Sequence, residues 1–268
     1  MMKADVHMHT NFSSDSDSSP EEMIQGAIAK GLEVLCFTDH FDKDNVAWGP
    51  EDIFNPEEYF QVLLPLKEKY KDQIKVKIGV EIGMQPYLEP FYRRFIQKYP
   101  FEFVIGSVHS IWKMDIAHGE IFEGHSDEEI YRATLEETLE DVRIYDDFDV
   151  LGHMDYMVRY GETKEKEYSY QRYADVIDEI LKTIIAKGKG IELNTAGLKY
   201  GLPFAHPHPD VLKRYRELGG EIITVGADGH RPDHIAYDFY KVSDILKSCG
   251  FKYYTEFSDR KPVFKQLP

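Results

Sequence analysis

Cysteine is scarce in this chain of 268 residues: Cys36 and Cys249 are the two present, far apart and outside any Cys-x-x-Cys spacing. That excludes a disulfide-stapled scaffold and a thiolate zinc site, and it leads us to expect reduced thiols and a cytoplasmic location. Long apolar runs are missing too. No segment reads as a membrane span, and the charged, strand-like first residues do not read as a signal peptide. Basic residues are outnumbered, 32 Lys and Arg against 48 Asp and Glu, for a formal net charge of −16. A nucleic-acid surface usually needs a basic patch, so no nucleic-acid partner is expected. Bound divalent ions would still make a small pocket locally positive inside such an acidic body. A glycine-rich phosphate fingerprint is absent as well, which disfavours a doubly wound open sheet.

What remains is an ordinary globular composition, 42% apolar and 13% aromatic. We read residues 1–268 as a single domain with one large core. Ser19-Pro20-Glu21-Glu22 predicts a capped helix start, and further helices are expected from Pro56 to about Tyr70, over 86–98, 126–145, 168–187, 209–218 and 234–248. Short apolar runs between them read as buried strands: 3–9, 34–37, 75–80, 103–108, 150–151, 190–193 and 221–225, with a last one at 252–255 before a short tail. Strand and helix alternating in this way imply βαβ units, a parallel sheet and, with about seven repeats, a closed α/β barrel.

The ends of those strands carry the chemistry. His7 and His9 stand two apart on the first strand, so they share a face and can close on one metal ion. His40, Glu81, His109, His153, Asn194, Asp228 and His230 then fall at the carboxyl ends of later strands, the rim where barrel enzymes keep their sites. Nitrogen and oxygen donors without thiolate suit Zn, Mn or Fe.

Six segments closely resemble the motifs of the PHP (polymerase and histidinol phosphatase) family, and in that family's order. They are Asp5-Val-His-Met-His9, Phe37-Thr-Asp-His40, Gly79-Val-Glu81-Ile, Gly106-Ser-Val-His109-Ser, Gly152-His153-Met-Asp and Ala227-Asp228-Gly-His230. The resemblance implies a distorted (β/α)7 TIM-like barrel with three divalent transition-metal ions at the C-terminal ends of its strands. It implies one ion on His7, His9, Glu81 and Asp228, and a second on Glu81, His109 and His153. A third falls to His40, His230 and a loop carboxylate, for which we take Asp15, with Asp17 as the alternative. Asp39 is expected to orient an imidazole rather than bind metal. Arg159 and Lys199, just past two strand ends, are candidates to hold phosphate oxygens, with Lys199 standing where such relatives often carry Arg.

Three divalent ions against Glu81, Asp228 and Asp15 leave roughly +3, which suits a phosphate monoester and an activated hydroxide. The implied activity is that of a phosphoric monoester hydrolase, a histidinol-phosphatase of histidine biosynthesis acting on a small-molecule phosphomonoester, with Glu81, His109 and Asp228 at the reacting centre. A phosphodiesterase on nucleotides or short oligonucleotides and a non-catalytic metal-bound interaction module are the alternatives. His206 and His208, between prolines, read as a turn before a helix, and His118, His125 and His234 as loop or cap residues. Trp112, Phe41 and Trp48 sit in rim loops, either as pocket wall or as core.

Overall fold

The computed structural model describes residues 2–45 and 52–268; Trp48 lies outside the described residues. The strands are β1 (Ala4–Asp5), β2 (Val34–Phe37), β3 (His40–Phe41), β4 (Lys75–Gly83), β5 (Phe103–Ser107), β6 (Ser110–Ile111), β7 (Met114–Asp115), β8 (Val150–Leu151), β9 (Gly190–Asn194), β10 (Ile223–Gly226), β11 (Tyr253–Ser258) and β12 (Lys261–Gln266). The helices are α1 (Pro20–Ala29), α2 (Pro56–Tyr70), α3 (Glu89–Lys98), α4 (Asp127–Ile144), α5 (Ala174–Ala186), the single turn α6 (Ala196–Lys199), α7 (Pro209–Glu217) and α8 (Phe239–Ser248).

Seven strands pair in parallel in the order β1-β2-β4-β5-β8-β9-β10. Backbone bonds between the two ends complete the ring: Val6 N–H donates to the Val225 carbonyl at 3.1 Å and His9 N–H to the Gly229 carbonyl at 2.9 Å. This is the expected α/β barrel. Along β4 the pleat sends Val76, Ile78, Val80 and Ile82 to one face, where they join the apolar core, and Lys77, Gly79, Glu81 and Gly83 to the other, equally buried. The caps are as read: Ser19 with Glu22, and Ser126 with Glu129, form reciprocal capping boxes.

Three expectations need correction. The first strand pairs as sheet only over Ala4–Asp5, because His7 and His9 turn their backbone bonds to the loop after β10. Several helices start late: α3, α5 and α8 begin after 3₁₀ turns or bends at 86–88, 170–173 and 232–234. The C-terminal strand and tail are an antiparallel hairpin, β11–β12, lying outside the barrel sheet. Its Phe257 ring stacks on Phe103 at 5.1 Å, and the buried Lys77 ammonium donates to the Phe257 carbonyl at 2.5 Å. The hairpin is therefore anchored to the barrel at the end away from Glu81.

Candidate metal centre and phosphate cleft

Four of the site residues stand two positions beyond the last paired residue of their strand: His7 after β1, His109 after β5, His153 after β8 and Asp228 after β10. That offset keeps a side chain on the face of the strand's final residue while freeing it from the ladder. Glu81 lies within β4, and His40 on β3 pairs directly with it.

Glu81 is the hub. Its Oε2 stands 3.2 Å from His7 Nε2, 3.5 Å from His9 Nε2 and 3.1 Å from His40 Nδ1. Its Oε1 stands 3.0 Å from His153 Nε2 and 3.4 Å from His109 Nε2, and accepts the Ser107 hydroxyl at 2.6 Å. Asp228 Oδ1 is 3.3 Å from His9 Nε2 and 3.6 Å from His230 Nδ1. Asp15 Oδ2 is 2.8 Å from His230 Nε2 and 3.8 Å from His40 Nε2. Every ligand candidate named from the sequence is therefore brought to one rim, and Asp15 rather than Asp17 faces the two histidines. Asp17 lines the cleft above them.

The partners behind these side chains decide which nitrogen faces inward. His7 Nδ1 donates to Glu192 Oε1 at 2.7 Å and His109 Nδ1 to Asp42 Oδ2 at 2.6 Å. His9 Nδ1 donates to Ser13 Oγ at 3.1 Å, and that hydroxyl in turn donates to Asp39 Oδ1 at 3.0 Å. Asp39 thus orients an imidazole, but through Ser13. With Nδ1 committed, each neutral ring presents a bare Nε2 lone pair inward. Two such lone pairs, on His7 and His9, face each other at 3.1 Å. Acceptor facing acceptor, among carboxylate oxygens and out of water, requires a positive charge between them, a shared proton or a metal ion. The donor set fits divalent metal.

The electrostatics agree. Burial pulls the His7 proton affinity down, but Glu192, Glu81 and Asp228 together hold it well above the usual range. Burial likewise opposes the charge on His109, and Asp42 with Glu81 pushes its pKa up to about 10. Burial and then His40 and His230, stacked at 4.2 Å on either side, keep His9 well below the usual range. Glu81 stays ionised far below its ordinary value, because the surrounding imidazoles overcome its burial. Without metal, protons take the place of the cation.

Above the rim lies a cleft of about 700 Å³ lined by Asp15, Asp17, Asp52, Asp115, Tyr160 and Arg159 among others. The Arg159 guanidinium is enclosed by the rings of Tyr156, Tyr160 and Tyr200 at 5.4, 4.9 and 4.5 Å. Its Nη1 is 4.0 Å from Asp228 Oδ2, and among the described residues neither Nε nor Nη1 has a hydrogen-bond partner. Lys199 sits differently. Its Nζ donates to the Asp228 carbonyl at 2.6 Å and leans toward that of Ala227, so the amine is spent on backbone behind the site, where burial pulls its pKa to about 8. Asn194 holds Glu192 through its amide at 3.0 Å. Trp112 is about half exposed and packs on His125 rather than lining the cleft, while Phe41 is core, stacked on Phe95 at 4.0 Å. Glu192, Asp42 and Ser13 were missed from sequence; a polar residue at even spacing from a strand-end ligand is the signal that would have found the first two.

A model of the PHP domain matches residues 5–196. The chain belongs to the PHP domain family. Among PHP relatives, the histidinol-phosphatase of Lactococcus lactis is 34% identical over 263 residues, 97% of this chain and 96% of that protein. A probable histidinol-phosphatase of Clostridium acetobutylicum is 33% identical over 252 residues, 94% and 95% of the two chains. The crystal structure of the Lactococcus lactis histidinol phosphate phosphatase with zinc, L-histidinol and phosphate superposes with a TM-score of 0.88 at 33% identity, covering 97% of this chain and 98% of that one. The PHP barrel expected from the motifs is thus the fold of a histidinol phosphatase. No described helix is long and apolar enough to cross a membrane.

Proposed function

We propose that this PHP protein hydrolyses L-histidinol phosphate to L-histidinol and phosphate. The observation that carries this is the buried, unpartnered edge of Arg159 directly beside a convergent set of imidazole lone pairs and carboxylates. The likeness to a phosphatase solved with zinc, L-histidinol and phosphate supports the substrate.

In this proposal His7, His9, Glu81 and Asp228 hold one divalent ion, Glu81, His109 and His153 a second, and His40, His230 and Asp15 a third, of Zn, Mn or Fe. Such ions supply positive charge for the phosphate oxygens and lower the pKa of coordinated water toward neutrality. Glu81 and Asp228 limit the excess positive charge and orient the set. Arg159 donates Nε–H and Nη–H to phosphate oxygens, while its tyrosine enclosure keeps water off the guanidinium face. Lys199 adds its charge from behind the Asp228 carbonyl. Asp17, Asp52 and Asp115 make the rest of the cleft acidic, which matches a substrate bearing an ammonium group and repels an oligonucleotide. The buried, free thiols of Cys36 and Cys249 suit a cytoplasmic protein.

Steady-state hydrolysis by protein reconstituted with Zn, Mn or Fe(II) tests this. The panel sets L-histidinol phosphate beside other phosphomonoesters, AMP and a short oligonucleotide. We expect kcat/KM for histidinol phosphate to lead by about 100-fold or more, as a site built to pair a substrate's polar groups discriminates. Preference for the oligonucleotide would replace this function with a nuclease.

A further inference from the structure

His206 lies on the proline-bounded segment that leads into α7, and it holds no place in the ligand set. It is wholly buried, and its Nδ1 stands 2.6 Å from Asp155 Oδ1. The other Asp155 oxygen accepts the His208 N–H at 2.7 Å. Asp155 opens the short turn Tyr156–Arg159, and its carbonyl accepts the Val158 N–H at 3.1 Å. His206 is itself fixed, since its N–H and carbonyl pair with Asn194 at 2.8 and 2.7 Å. Gly197 makes room for it: a Cβ there would lie 2.4 Å from the Phe204 carbonyl and 3.3 Å from the His206 ring. A continuous set of bonds therefore runs from the end of β9 through His206 and Asp155 to the turn that carries Arg159.

His153, at the other end of that segment, does not depend on this route. Gly152 N–H bonds the Gly106 carbonyl at 2.9 Å, and His153 N–H bonds Glu192 Oε2 at 3.2 Å. Arg159 lacks a backbone anchor of that kind on a barrel strand; beyond its turn it meets three tyrosine rings and, at 4.0 Å, Asp228. We propose that Asp155 and His206 are a positioning pair for Arg159, setting phosphate affinity without holding metal. This rests on Arg159 binding phosphate, as proposed above. The Nε2 edge of His206 meets no partner among the described residues, so the Nδ1–H contact is the working one and an asparagine amide can replace it.

The test is calorimetric binding of inorganic phosphate to zinc-loaded protein, with zinc content measured alongside. Arg159→Ala weakens phosphate binding; His206→Leu weakens it about tenfold, the scale of a misplaced binding group, with zinc content unchanged. His206→Asn restores binding to within about twofold, and His206→Leu adds nothing in an Arg159→Ala background. If His206→Leu does not fold, Asp155→Asn, which keeps the side-chain volume, replaces it in the same cycle. Wild-type binding by His206→Leu, additive losses, or loss of zinc in place of phosphate would overturn the pair's role while leaving Arg159 in place. Wild-type binding by Arg159→Ala would remove Arg159 from the phosphate site and the pair's role with it.

Discussion

Glu81 and Glu192 are both wholly buried carboxylates, yet they do opposite work. Glu81 faces five imidazoles with its two oxygens and would share charge between two ions. Glu192 faces the outer nitrogen of His7 and sets that ring's tautomer and basicity. Glu192→Gln keeps an acceptor for the Nδ1–H but removes the charge. It is expected to leave the barrel folded and to weaken zinc binding by about 10–100-fold, read by competition with a chromophoric chelator. His109→Ala, by contrast, deletes a ligand candidate outright and leaves Asp42 buried beside an empty space. Turnover should fall by about two orders of magnitude or more with the far-ultraviolet spectrum unchanged; unaltered turnover would take His109 out of the centre.

At the scale of elements, strand ends position the site and glycine makes their approach possible. A Cβ on Gly226 would lie 2.3 Å from His7 Cβ and 2.4 Å from Glu192 Oε1. Gly226→Ala should therefore preserve the β9–β10 pairing but push His7 off Glu192. We expect a stability loss of about 1–3 kcal/mol from overpacking, seen as a lower Tm, together with reduced zinc stoichiometry. The helices were legible because their start signals are local, as Ser19 with Glu22 and Ser126 with Glu129 demonstrate. The antiparallel hairpins β6–β7 and β11–β12 were not. Their tight turns place Trp112-Lys113 and Asp259-Arg260 at positive φ, between 49° and 63°, where an Asn-Gly or Asp-Gly signal would ordinarily stand.

For the molecule as a whole, metal and protons compete for one buried cluster. In the metal-free protein the His109 pKa is about 10 against an ordinary 6.5. A histidine raised on folding adds stability that is complete below its unfolded value and is lost as pH climbs through its folded one. The metal-free protein should thus lose stability between about pH 6.5 and 10. Over the same window zinc affinity should rise, since each ion displaces protons. Calorimetry in buffers of different protonation enthalpy at about pH 7 is expected to show net proton release on zinc binding, and chelation to lower Tm reversibly. No proton release would contradict the protonated, metal-free cluster.

By itself the sequence determined the period of strand and helix, the residue types at each strand end, and hence the ligand candidates His7, His9, His40, Glu81, His109, His153, Asp228 and His230. Those properties are local: a residue's face follows from its own strand, and an apolar run buries itself wherever it pairs. The tertiary structure alone decided between Asp15 and Asp17 beside His230, that Glu192 holds a histidine 185 residues away, and that Lys199 turns to the backbone while Arg159 keeps Nε and Nη1 unbonded. It also folded the tail into a hairpin anchored on Lys77. Each of these pairs segments far apart in the chain. Closure of the barrel brings them within bonding distance, and a buried polar group must then take the partner that closure provides.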